Sequence, residues 1–197
     1  MPASPYIDLT QDDRDRLINM VRLVLSYGTA NHTLSLPEPP SSPGLQQDAA
    51  SFVTLFENEN LRGCTGSHSA HQPLWQDVCK HAYTSAFEDN RFAPLRAEEL
   101  VNLSIQISIL SPLTAIINEG EPSLIEQLQM DRDGVMIQEG RRTALFLPAV
   151  WRSFDDVKPF LRALRVKGGW PANYWSREMN IFRFRILCKI EASYSRE

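Results

Sequence analysis

Residues 61–66 read Leu-Arg-Gly-Cys-Thr-Gly and place a thiol two positions from a guanidinium, inside a segment of strand-like composition. A thiol attacks only as its thiolate, and a nearby cation such as Arg62 stabilises that form at Cys64. His68 and His71 are the nearest candidates for its base. Cys64, His68, His71, Cys79 and His81 also carry atoms that zinc accepts, but their spacing matches no finger or ribbon pattern, so no metal site is expected. The competing reading makes Cys64 a small residue buried in a tight turn. Gly63 and Gly66 flank it, and glycines in a strand mark a bend, a bulge or a close approach. The expectation is a bend that presents Arg62 and Cys64 at the strand end.

Other groups carry weaker signals. Glu98 and Glu99 are adjacent, so they share no helix face and suit a solvated turn better than an acid–base pair. Asp131 and Asp133 suit a β-turn. The calcium-loop pattern they begin has Arg142 where an acid is required. Lys167, followed by Gly168 and Gly169, either binds an anion or caps a helix C-terminus. Arg141 and Arg142 mark a basic hairpin tip. Trp170, Tyr174 and Trp175 either line a pocket or seal a core edge.

The elements that must position these residues follow from periodicity and punctuation. Thr10 and Asp13 form a capping-box pattern ahead of a helix with Leu17, Met20, Val21, Val24 and Leu25 on one stripe, and Gly28 is the expected stop. Residues 29–47, rich in proline and serine, read as a surface loop. Residues 51–57 read as a strand that pairs with the Cys64 segment as a hairpin. Pro73 opens a second helix. Residues 102–110 alternate, with Leu103, Ile105, Ile107 and Ile109 on one face. Pro122 opens a short helix, and residues around 140 form a second hairpin. Ser153 and Asp156 suggest another capping box, ahead of a stripe of Phe154, Val157, Phe160, Leu161 and Leu164. Residues 182–190 alternate as one strand. Helices interleaved with hairpins predict an α+β fold with mostly antiparallel sheet.

The chain of 197 residues, 43% hydrophobic and 22% charged, suits one domain with two lobes. A net charge of −4 predicts no nucleic-acid partner. Three scattered cysteines read as free thiols in a reducing compartment. There is no secretory-signal pattern, and no apolar run nears the about 20 residues that span a bilayer, so no membrane association is expected.

Taken together, the Leu61–Gly66 stretch, "PLWQDV", "AFEDNRFAPL", "ISILSP", "DGVMI", "LFLPAV" and "KGGWP" resemble the AMMECR domain family. Its bacterial and archaeal members are called AmmeMemoRadiSam system protein A. The likeness runs from about residue 52 to about 184, with Thr65 where the family usually has Ile. It implies a single domain of two unequal subdomains around a cleft, and a cytoplasmic protein. It implies site residues Arg62, Gly63, Cys64, Gly66, Arg91, Asp133 and Lys167, with Asp89, Phe92, Gly134, Pro148 and Gly169 around them. His68 and His71 lie outside the family pattern. The family brings no agreed activity and no cofactor. It implies partnership with a Memo-like protein and a radical S-adenosylmethionine enzyme. Two readings stand: a binding or accessory module taking a small anionic or nucleotide-like ligand, and an enzyme using Cys64 as nucleophile or redox thiol.

Overall fold

The computed structural model describes residues 7–194. In chain order the elements are helix α1 (Gln11–Asn31), the single turn α2 (Pro43–Gln46), strands β1 (Ser51–Glu57) and β2 (Asn60–Gly66), helix α3 (Leu74–Phe87), strands β3 (Leu103–Leu110) and β4 (Thr114–Ile116), and helix α4 (Glu121–Gln127). Strands β5 (Gly134–Glu139) and β6 (Arg142–Phe146), helix α5 (Val157–Lys167), and strands β7 (Asn180–Phe184) and β8 (Ile186–Ser193) follow. The fold is α+β with two antiparallel sheets, ordered β2-β1-β3-β8 and β4-β7-β5-β6. They belong to two compact units: one runs to Pro112 and resumes at Leu187, and the other spans Leu113–Ile186.

In the first unit, α1 and α3 cover one face of the sheet with Leu17, Val21, Leu25, Val78 and Ala82, against Val53, Leu55, Ile105, Ile107 and Ile109. Each fully buried branched side chain contributes roughly 1.5–3 kcal/mol to this packing. Thr10 caps α1 in a full capping box with Asp13. The helix does not stop at Gly28 as expected. It continues to Asn31 and ends at His32, whose φ is 55°. Gly28 is instead a contact point, where a Cβ would overlap the Phe87 ring of α3. The stretch 29–47 therefore begins inside α1 and finishes in α2, where Leu45 is fully buried. Asn58 and Glu59, both at positive φ, turn β1 into β2 as a tight hairpin. Pro73 precedes α3 as its cap residue rather than opening its first turn.

In the second unit, Trp151 stacks on Phe160 at 3.5 Å between ring centroids, with Leu161, Leu164, Val135 and Ile181 around them. Asp156 is itself the α5 cap, accepting from Val157 N–H at 2.6 Å. Ser153 ends a 3-10 turn (Pro148–Ser153), which leaves Phe154 ahead of the helix. The single strand expected over 182–190 is two strands. The chain leaves one sheet after Phe184 and enters the other at Ile186. Between them Arg185 is held by Asp133 and by Gln129. Ile181 is buried while Phe182 is only half-buried, because the pairing of β7 with β5, not the alternation alone, sets its inner face.

A strand edge closed by side chains at Cys64

Strand β2 is an edge strand, and the Cys64 stretch lies within it rather than in a bend. Opposite residues pair as Thr54 with Cys64 and Leu55 with Gly63, but Phe56 pairs with Leu61. Arg62 is thus the extra residue of a β-bulge, which turns its side chain out of the regular alternation. Gly63 is there for contact. A Cβ on it would overlap the backbone carbonyl of Ser85, so glycine lets α3 rest on the strand. A Cβ on Gly66 would run into the Phe52 ring. Ser85 Oγ accepts from Thr65 N at 2.8 Å and donates to Val53 O at 2.8 Å, relaying the ladder through a hydroxyl. Thr65 Oγ1 bonds the His81 carbonyl at 3.1 Å and meets Ser85 Oγ at 2.9 Å, so its hydroxyl is spent on α3.

Cys64 points to the sheet face opposite the helices, where its Sγ meets Thr54 Oγ1 at 3.3 Å. Its N–H donates to Asp89 Oδ2 at 2.9 Å. Arg91 binds the same carboxylate through Nε (2.9 Å) and Nη2 (2.6 Å), and Nη2 also donates to the Cys64 carbonyl at 3.1 Å. The Arg91 hydrogen bond holds the Asp89 carboxyl down to about 2, against its burial. Arg91 is shifted the other way, chiefly by the Asp89 hydrogen bond, with Cys64 among the smaller contributors. The Arg91 side chain is 52% exposed, whereas Asp89 is 5% exposed. Its guanidinium lies 5.5 Å from the Phe92 ring centroid.

Arg62 is engaged within the chain. Its Nε and Nη2 grip Glu99 at 2.7 and 3.2 Å, and Nη2 reaches the Ala93 carbonyl at 2.9 Å. Its Nη1 is buried without a partner among the described residues. Glu99, expected on a solvated turn, is 12% exposed, and this hydrogen bond is the largest cause of its lowered pKa. A carboxylate thirty-seven positions away in sequence gave no local sign of this pairing.

No base from the sequence list stands beside the thiol. His68 and His71 are exposed, and His81 pairs with Asp77 at 3.5 Å. Asp77, which sequence reasoning passed over, is 1% exposed and accepts from Ser51 N and Oγ, Ser67 Oγ and Gln72 Nε2. Burial raises its pKa, but the hydrogen bonds, led by His81, outweigh that and lower it. Cys79 is fully buried, and that burial pushes its thiol up to about 12. Among the described residues, no three His, Cys, Asp or Glu side chains gather to hold a metal.

Asp133 and Lys167 belong to the second unit. Asp133, fully buried, closes its turn by accepting from Gln129 N at 2.9 Å and takes Arg185 Nε at 3.2 Å. Gly134 sits where a Cβ would meet the Phe184 ring. Lys167 Nζ donates to the Leu145 carbonyl at 2.7 Å over the Phe146 ring. Pro148 opens its 3-10 turn, and Gly169, at φ 78°, follows the end of α5. Trp170 and Tyr174 both donate to Glu139 Oε2, at 3.1 and 2.8 Å, a carboxylate that periodicity alone did not single out.

A model of the AMMECR1 family matches residues 18–188. The chain belongs to the AMMECR1 family. Among AMMECR1 relatives, NEQ441 of Nanoarchaeum equitans is 31% identical over 180 residues, covering 87% of this chain and 97% of that one. MJ0810 of Methanocaldococcus jannaschii is 28% identical, with 89% of each chain covered. The crystal structure of the uncharacterized protein PH0010 from Pyrococcus horikoshii superposes with a TM-score of 0.80 at 27% identity over 90% of both chains. AMMECR1 proteins are thus matched along the sheet, the edge strand and the second unit alike, and those matched are themselves uncharacterised.

Proposed function

We propose that this AMMECR1 protein is a binding module that takes a small anionic or nucleotide-like ligand at Arg91 beside Cys64. On this reading it serves as an accessory to a Memo-like protein and a radical S-adenosylmethionine enzyme in the cytoplasm. The observation that carries the ligand reading is the Asp89 carboxylate, which ties the Cys64 N–H and the Arg91 fork into one unit. The arginine is thereby fixed in position through Nε and Nη2, while Nη1 donates no hydrogen bond among the described residues and half the side chain faces solvent. A preoriented guanidinium suits a carboxylate or phosphate. Asp89 stays ionised down to about 2, so it orients rather than accepts a proton at neutral pH. The cytoplasmic assignment rests on the scattered cysteine pattern and on the resemblance; no helix among the described residues is long and apolar enough to cross a membrane.

Titration calorimetry with inorganic pyrophosphate and with a nucleoside monophosphate tests the ligand reading. Saturable binding that Arg91→Ala abolishes supports it; binding that survives in Arg91→Ala contradicts it. Co-elution with a Memo-like protein from the same genome tests the accessory role, and separate elution at micromolar concentration argues against it.

The second reading, catalysis by Cys64, draws on Thr54 Oγ1 at 3.3 Å from the sulfur and on the neighbouring Arg91. A hydroxyl and a cation stabilise a thiolate without a base. A Cys64 alkylation rate that titrates well below the ~8.5 of an ordinary thiol favours this reading.

A further inference from the structure

The structure assigns a second recognition site, away from Cys64, to the open edge of β8: we propose that a partner protein's extended segment, acidic at both ends and apolar at its centre, adds there as a fifth strand. Strand β8 ends its sheet, with β3 on one side and no strand pairing with the other among the described residues. A groove of about 650 Å³ runs along it. Its floor is formed by residues 189–192, four consecutive positions, so the groove follows the strand's edge rather than either face. Its wall is α1, through positions spaced 3, 4, 7, 8 and 11 after Gln11, a single helical stripe.

The wall is patterned. Arg14, Ile18 and Arg22 stand four residues apart along it. At 1.5 Å per residue the two arginines are about 12 Å apart along the helix axis. In a strand, residues four apart are about 13 Å apart, and all alternate residues face one side. A segment of the pattern acidic–x–apolar–x–acidic laid along β8 therefore sets its two carboxylates opposite Arg14 and Arg22 and its central apolar side chain opposite Ile18.

The charges favour this occupant. Lys189 and Glu191 neutralise each other at 2.6 Å; Asp15 accepts from Gln11 Nε2 at 2.9 Å and keeps its charge, so Arg14 and Arg22 leave the lining net positive. The Arg14 side chain has no partner among the described residues. Arg22 holds the Ser193 carbonyl at 2.6 Å and Asn19 at 3.2 Å, which closes one end of the groove, and its Nε is buried without a partner. A second copy of this chain pairing edge to edge would bring two such walls together, each with Arg14 and Arg22 against the single Asp15, and this excess of like charge opposes it. Strand addition draws affinity from main-chain hydrogen bonds and specificity from alternate side chains, the two features this groove offers.

The test uses the full-length protein and a capped Glu-Thr-Val-Thr-Glu peptide, with amide shifts followed by NMR. Expected are saturable shifts at 189–192, binding about tenfold weaker for the peptide N-methylated at its central residues, and binding about tenfold weaker to Arg14→Glu. Arg14→Glu is also expected to bind the Lys-Thr-Val-Thr-Lys peptide better than the parent does, a gain that misfolding does not produce. Absence of saturable binding, indifference to N-methylation, or shifts mapping outside 189–192 and α1 overturns the proposal. Concentration-dependent shifts at 189–192 without peptide identify a second copy as the occupant and overturn it equally.

Discussion

The backbone N–H of Cys64 donates to the carboxylate of Asp89 at 2.9 Å, closing a strand edge with a side chain from beyond the next helix. Strand edges left open recruit other strands. Here the donor is satisfied, and the satisfying carboxylate also fixes Arg91.

That carboxylate couples stability to pH. The Arg91 hydrogen bond holds the Asp89 carboxyl at about 2 in the folded chain, below its ordinary 3.8. A depressed carboxyl contributes stability above its unfolded pKa and loses it as pH falls through the folded one. The contribution, about 2 kcal/mol, is therefore present at neutral pH and disappears between about pH 4 and 2. Asp89→Asn is expected to lower stability at pH 7 by a comparable amount and to show a shallower acid limb in urea melts. Parallel acid limbs for the two proteins would contradict this origin.

Gly63→Ala forces a methyl group onto the Ser85 carbonyl. Backbone cannot rotate aside as a side chain can, so a loss of roughly 1–3 kcal/mol is expected. Gly140→Ala, in open space at φ 58°, meets only the backbone preference and costs about 1 kcal/mol. Equal urea midpoints for the two variants would show that helix contact is not what selects glycine at position 63.

Much of this was legible in the sequence. Residues 51–57, Leu74 onward and 103–110 carry strong local patterns, and they form β1, α3 and β3. The Thr10–Asp13 cap was readable for the same reason, since all its atoms lie within four residues. The family motifs carried the fold. What could not be read are contacts between distant positions. Gly28 and Gly63 look like breakers until Phe87 and Ser85 are placed on them. Arg62 looks like a free anion receptor until Glu99 is brought against it. The break at Arg185 is likewise set by which sheet each half joins, which alternation does not encode.

The Arg62–Glu99 pair is a structural tie on two largely buried side chains, 11% and 12% exposed. A double-mutant cycle with Arg62→Ala and Glu99→Ala is expected to return a coupling of about 1–3 kcal/mol. Arg62→Lys keeps the charge but loses the two-point grip, so it should forfeit most of that coupling. A coupling near zero would mean that the pair is incidental, and would return Arg62 to the candidate ligand donors.

The most direct measurement is the rate of Cys64 alkylation by iodoacetamide at pH 7.5, followed by mass spectrometry, with and without saturating pyrophosphate. Cys79 serves as the internal standard, since a thiol held near 12 and fully buried reacts only on unfolding. Arg91 binds the Cys64 carbonyl, so on the proposed reading an anion held there lies beside Cys64, and pyrophosphate is predicted to slow its alkylation by about tenfold in the parent protein and not at all in Arg91→Ala. An unchanged rate in the parent, or equal protection in Arg91→Ala, contradicts the account.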